Sequence, residues 1–188
     1  MGGKRRRTAE EARAIILETA AARLREHGLD GLNITGVAEA AGMTHATLIH
    51  HFGSSGEMRT ALAEKMTTEL ISDLVQAMDN KVSPTELAGD VFAALAEGGH
   101  AILLAWRAVE GAGAPGDRER VRALFDRLLA TTQKVLEVER REELQQIVLL
   151  VATAAIGYGI AGPVLTDMLG MSEETVKGFP TWVAQHAG

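Results

Sequence analysis

Between Leu32 and Phe52 the chain reads LNITGVAEAAGMTHATLIHHF, and its short hydrogen-bonding side chains gather there. Thr44, His45, Thr47, His50 and His51 share one side of a helical pattern, while Leu48 and Phe52, four residues apart, share the other. The first set offers hydroxyl and imidazole groups of a size that meets base edges and phosphates; the second anchors the helix to a core. The three histidines lack the spacing of a zinc enzyme and no acidic base accompanies them, so no metal is expected. Glu97-Gly-Gly-His100 is half of a di-iron carboxylate pattern, which needs a second copy and a helix that two glycines weaken. Gly157-x-Gly-x-x-Gly162 has the letters of a dinucleotide turn, but Pro163 follows at once and no strand precedes it, so no cofactor is expected. No Ser/His/Asp set and no phosphate loop appears. The chain is expected to have no catalytic residue and not to be an enzyme.

The charge is unevenly spread. The net charge is -6, yet residues 1–56 carry seven Lys/Arg against six Asp/Glu, while residues 57–188 carry twelve against nineteen. Lys4, Arg5, Arg6 and Arg7 form a run of four positive charges. A basic arm on a near-neutral unit can bind phosphate although the rest of the chain is acidic. With no cysteine, there is no disulfide scaffold, thiol nucleophile or thiolate metal site. Glu10, Glu11, Arg13 and Glu18 interrupt any apolar stretch after the basic start, and Arg6 stands where a myristoylation motif wants Ser or Thr. A cytoplasmic protein is expected.

The elements that must position these groups are helical. Of 188 residues, 46% are hydrophobic but only 4% aromatic, and four prolines leave long stretches uninterrupted. Periodicity predicts a helix from Thr8 to Gly28, short helices at Ile34–Ala40 and His45–His51, and a long one from about Glu57 to Met78. Asn33 and Thr44 are the expected caps of the short pair, Leu32 staples onto Val37, and Gly42 supplies a left-handed turn between them. Ser83 caps a helix that Pro84 opens and that runs to Glu97; another covers His100–Glu110. Helices follow at Asp117 to about Glu139, at Glu142–Leu169 with a dent at Pro163, and after Ser172 with an interruption at Pro180. The reading is all-α, with about nine helices. Two short helices crossing at a glycine, the second with a polar outer face, have the layout of a helix-turn-helix whose second helix enters the major groove.

The run Ala41-Gly-Met-Thr-His-Ala-Thr-Leu-Ile-His-His-Phe52 resembles the A-G-V-S-x-x-T-L-Y-x-H-F signature of the TetR family of transcriptional regulators. Ala41, Gly42, Thr47, Leu48, His51 and Phe52 match it outright, Met43 and Thr44 are close substitutes, and the similarity covers about residues 8–66. The resemblance implies a basic arm at 1–7, a three-helix DNA-binding domain at 8–56 with its motif at about 33–52, and an antiparallel bundle for effector binding and dimerisation at 57–188. It implies a homodimeric repressor or activator on a double-stranded, palindromic DNA operator, most simply a repressor released by a small-molecule effector. By position, Thr35, His45, Ala46 and Thr47 would face bases, with Thr44 starting the reading helix. Asn33, His50 and His51 would reach phosphates or nearby bases, and Lys4, Arg5, Arg6 and Arg7 would add phosphate or minor-groove contacts. Ala46 and Thr47 could touch thymine methyls, and His45 could donate to guanine N7.

Three positions depart from the family. Ile49 replaces a tyrosine whose hydroxyl normally meets a phosphate; Ser55 and Gly56 replace a lysine and an acidic residue, which is expected to weaken the cap of the long helix. Greater reliance on the basic arm would compensate. The other reading is a helical ligand-binding or enzymatic bundle whose helix-turn-helix has lost operator binding. In the C-terminal bundle, Phe92, Trp106, Tyr158 and Thr153 are the expected effector-pocket residues, with His100, Arg107 and Glu110 supplying polarity. Ile147–Thr166 holds no charge over twenty residues, which reaches transmembrane length. Its Gly, Ala and Pro content and the lack of a paired span favour a core and dimer-interface helix, not a membrane partner. Ala155, Gly159 and Gly162 are expected to let a partner helix approach closely.

Overall fold

The computed structural model describes residues 8–80, 83–97, 99–110, 115–135 and 140–186, so the Lys4–Arg7 arm lies outside the described residues. Thr8 starts α1 (Ala9–His27) with a reciprocal cap: its Oγ1 accepts from the Glu11 amide at 3.1 Å, and its own amide donates to Glu11 Oε2 at 2.8 Å. A 3-10 turn, Gly28–Gly31, leads to α2 (Ile34–Ala40) and α3 (His45–Phe52). Next come α4 (Ser55–Asp79), α5 (Pro84–Glu97), α6 (His100–Glu110) and α7 (Pro115–Val135). The chain continues with α8 (Arg141–Met168) and α9 (Glu173–His186). Among the described residues every regular element is helical, as composition and periodicity predict.

The chain divides into two compact units at Leu62 and Ala63, a point within α4. In the first unit, Ile16, Ala20 and Leu24 of α1 bury with Leu32, Ile34, Val37, Leu48, Phe52, Met58 and Leu62. Arginines hold the 3-10 turn from inside this unit: Arg23 Nε donates to Gly31 O, and Arg59 donates to Leu29 O and Leu32 O. In the second unit one group of buried side chains is Ile71, Leu74, Val75, Met78, Leu87 and Leu128; another is Phe92, Leu95, Ala101, Ala155 and Val183. α8 packs against α5, α6, α7 and α9.

Three expectations need correction. The start of α4 is not weakened by Ser55 and Gly56, because Ser54 takes the cap: its Oγ accepts from the Glu57 amide at 3.1 Å and lies 3.3 Å from Glu57 Oε2. α9 runs unbroken through Pro180, where an interruption is expected, and α8 likewise continues through Pro163 as one helix. A proline removes one backbone hydrogen bond, and in α9 the packing of Phe179 and Val183 on either side holds the turn together. Finally, Ala155, Gly159 and Gly162 do not face outward toward a second chain. A Cβ on Gly159 would stand 2.7 Å from Ala101 Cβ and 3.0 Å from Leu95 O, so the close approach it permits is to α5 and α6 of its own unit. Ala155 is fully buried beside Ala101, and Gly162 lies under its own chain's Tyr158 ring.

Candidate nucleic-acid interface and effector cavity

α2 and α3 owe their geometry to local hydrogen bonds. Asn33 Oδ1 accepts from the Gly36 amide at 2.7 Å while its Nδ2 donates to Asp30 O at 2.9 Å, so both ends of this carboxamide are engaged in starting α2. Gly42 has φ +63°, where any side chain is strained; its amide donates to Glu39 O, and the Met43 amide closes back on Ala38 O. Thr44 then caps α3 by accepting from the Thr47 amide at 3.1 Å, and the two threonine hydroxyls stand 2.9 Å apart. With Leu48 and Phe52 buried beneath, Thr44, His45, Ala46, Ile49 and His50 are exposed, while Thr47 and His51 are half-buried. The outer face is therefore mixed. Ile49, 39% exposed, sits among the polar groups and carries no hydrogen-bonding atom of its own side chain. Thr35 is exposed on α2.

Sequence reasoning missed one residue that supports this face. Arg13 of α1 donates through Nη1 to His51 O at 2.9 Å, and its guanidinium carbon lies 4.2 Å from the centre of the Phe52 ring. It therefore holds the carbonyl end of α3 from 38 residues away, and the His50 and His51 rings meet edge to face beside it. Only a predicted contact between α1 and α3 could have revealed it.

The second unit contains a cavity of about 790 Å³, lined from α4, α5, α6, α7, α8 and α9. That size lies within the ~300–1,000 Å³ typical of small-molecule sites. Of the residues expected there, His100 and Arg107 line it. The other five stand elsewhere. Phe92, Tyr158 and Phe179 form an aromatic cluster with ring centres 5.5 to 5.9 Å apart. Thr153 is exposed and bonds its own helix at Leu149 O, Glu110 is exposed at the end of α6, and Trp106 is half-buried off the lining. Aromatic and polar residue types pointed to a ligand, but the geometry uses them for packing and surface.

Polar groups on the lining are few. His100, 2% exposed, brings its Nε2 to 3.0 Å from Thr67 Oγ1, and burial pushes its pKa down to about 4. Arg107 Nη2 reaches Glu64 Oε1 at 3.5 Å. At the other end Thr132 donates to Leu128 O at 2.8 Å and lies 3.3 Å from Met78 Sδ. Thr67, Arg122 and Thr132 were not anticipated. Thr67 could have been, since it keeps helical register with Leu70, Ile71 and Leu74, all of which line the cavity.

A third surface lies on α8. Leu149, Thr153, Gly157, Ile160, Val164 and Met168 follow one another at spacings of three and four and are all exposed, Met168 to 77%. By length and composition this helix could also cross a membrane. Trp182 of α9 is exposed too, stacked between Phe179 and His186. Among the described residues no group of His, Asp and Glu could hold a metal ion.

Comparison with known proteins locates the first unit. Residues 16–62 match the family described as bacterial regulatory proteins, tetR family. Over 77 residues the chain is 36% identical to the HTH-type transcriptional regulatory protein RaaS of Mycobacterium tuberculosis, a match spanning 41% of this chain and 36% of that protein. Two solved structures share the fold. A tetR-family transcriptional regulator from Streptomyces coelicolor superposes with a TM-score of 0.66 at 16% identity, covering 95% of this chain and 79% of that one. A transcriptional regulator from Rhodococcus sp. Rha1 does so with a TM-score of 0.65 at 17% identity, covering 93% and 95%.

Proposed function

Since the chain belongs to the tetR family of bacterial regulatory proteins, with a helix-turn-helix DNA-binding unit, we propose that it is a homodimeric repressor released from a palindromic operator by a small apolar effector. The observation that carries this reading is the placement of the cavity on α4. Thr67, Leu70, Ile71, Leu74 and Met78 line it, and the same helix contributes Met58 and Leu62 to the core of the DNA-binding unit. An effector that prefers one setting of α4 shifts the population of reading-head spacings, and half-sites one or more DNA turns apart reward only one of them. The exposed apolar stripe on α8 supplies the dimer contact, with α9 beside it.

On DNA, α3 lies in the major groove. His45, Ala46, Thr47 and Thr35 meet bases, His50 and His51 reach phosphates or nearby bases, and Thr44 and Asn33 fix the helix starts behind them. Ile49 offers an apolar surface where the family has a tyrosine hydroxyl. Lys4, Arg5, Arg6 and Arg7 supply the phosphate attraction that α3 lacks, so removing residues 1–7 lowers both affinity and its salt dependence. A second reading, a ligand-binding bundle that no longer reads DNA, draws support from the same Ile49.

The test is mobility shift with DNA from upstream of the protein's own gene and its divergent neighbour, at two salt concentrations. A discrete, salt-sensitive complex that disappears when Thr47 and His51 are replaced by Ala supports the regulator. No specific complex at low salt, from protein shown to be folded and dimeric, favours the second reading.

A further inference from the structure

The cavity holds more information than its size. Among the described residues, seventeen that line it are apolar, the remaining five are Thr67, His100, Arg107, Arg122 and Thr132, and none of these twenty-two is a carboxylate. The charged groups on the described wall, Arg107 and Arg122, are therefore of one sign. The polar groups are also unevenly placed along the cavity. Thr67 and His100 are bonded to each other, and Arg107, seven residues along α6 from His100, reaches Glu64, three residues before Thr67 on α4. Thr67, His100 and Arg107 mark one end, and Glu64 holds Arg107 from off the lining. The other end is marked by Met78 and Thr132. Between them α4 presents only Leu70, Ile71 and Leu74 to the cavity.

The eleven residue steps from Thr67 to Met78 span about 16 Å of helix. An extended chain of tetrahedral and planar centres advances about 1.2 Å per bond, as a polypeptide does over its three bonds per residue. A linear body of roughly a dozen to fourteen carbons therefore reaches from one end to the other. At neutral pH His100 is uncharged because burial holds its pKa near 4, so it acts there as a hydrogen-bonding group and Arg107 as the charge at this end.

Building on the effector reading above, we propose that the ligand is an unbranched anionic amphiphile of about that length, its head on Arg107 with Thr67 and His100, its tail running toward Met78 and Thr132. The head competes with Glu64 for the guanidinium. Glu64 is on α4 and Arg107 on α6, so the exchange removes a tie between those helices in the same step that the ligand binds. This gives the effector a differential contact in the two settings of α4, which any population shift requires.

The experiment is calorimetric titration of the full-length chain with tetradecanoate, tetradecyl phosphate, tetradecanol and octanoate below their aggregation limits, with the neutral dye Nile red as a general probe of the cavity. Tetradecanoate or tetradecyl phosphate should bind at least about tenfold more tightly than the alcohol and the short acid, as a charge-assisted contact and a filled tail predict. Which of the two binds better distinguishes a carboxylate source from a phosphate one. Arg107→Gln should abolish the preference for the charged head while Nile red still binds. Glu64→Gln, which removes the competitor and keeps the shape, should tighten the anions severalfold and leave the alcohol unchanged. Equal binding of alcohol and carboxylate, or Glu64→Gln without effect on the anions, overturns the anionic-head proposal while leaving the effector reading intact. If Nile red and all four amphiphiles fail to bind folded protein, the effector reading itself falls.

Discussion

His100 is a buried imidazole at the first position of α6, bonded to Thr67, and its burial disfavours protonation. With the pKa depressed from 6.5 to about 4, the unfolded chain binds the proton more readily than the folded one. The contribution to stability is complete above pH 6.5, falls as pH drops toward 4, and changes no further below that. The loss amounts to roughly 3 kcal/mol. Denaturant melts of the wild type and His100→Gln, compared from pH 7.5 to 4, should converge over that window; parallel curves would remove burial as the cause. Arg13 makes a different prediction. Arg13→Ala loses a charged hydrogen bond and a ring contact, so stability should fall by about 1–2 kcal/mol and operator affinity with it, though Arg13 belongs to α1 and not to α3. Arg13→Lys keeps the charge but not the planar fork, and should restore only part of both. Unchanged affinity in Arg13→Ala would mean that α3 needs no support at its carbonyl end.

At the scale of elements, what acts within three or four residues was legible and what acts across the fold was not. Thr8, Asn33, Thr44, Ser83 and Ser172 all accept from a backbone amide three residues on, which is why helix starts could be read from the chain alone. The cavity draws on six helices, so only His100 and Arg107 among its walls were anticipated, and aromatic type proved a poor guide to a lining that is aliphatic. α8 shows the ambiguity most clearly. A helix apolar on most sides gives no periodic signal for which face turns inward, and its small residues were assigned to the wrong one. Gly159 decides the matter physically, because Ala101 and the Leu95 carbonyl stand where a side chain would go. Gly159→Val should therefore destabilise the second unit by about 1–3 kcal/mol through overpacking. Gly157→Ala, on the exposed side with nothing within 4 Å, should be neutral or slightly stabilising. Thermal melts of the two variants check this; a Gly159→Val protein as stable as the wild type would contradict the inward orientation.

For the whole molecule, the proposed function makes the number of reading heads held together the decisive quantity. Leu149, Ile160, Val164 and Met168 leave a long apolar stripe of α8 uncovered, larger than scattered surface residues account for, and a two-fold contact between copies would bury it against itself. In such a contact every residue acts twice. Val164, 62% exposed in the single chain and near the middle of the stripe's second half, is a direct probe of that arrangement. Val164→Glu puts two like charges into an apolar seam, and by the cost of an unpaired buried charge the dimer should weaken by at least about a hundredfold. Because Val164 is exposed, the fold of each chain should be unaffected, and circular dichroism would show the same helix content. The consequence for DNA follows from counting phosphates. Each head neutralises its own set, so a protein reduced to monomers should lose about half the slope of log affinity against log salt, along with most of its affinity for a palindrome. Sedimentation equilibrium gives the first quantity and mobility shift between 50 and 200 mM salt the second. A Val164→Glu protein that sediments as the wild type does would place the dimer contact off this stripe. If it sediments as a monomer yet binds a full operator with an unchanged salt slope, dimerisation and DNA reading are independent, and a change in head spacing could not be the means of release.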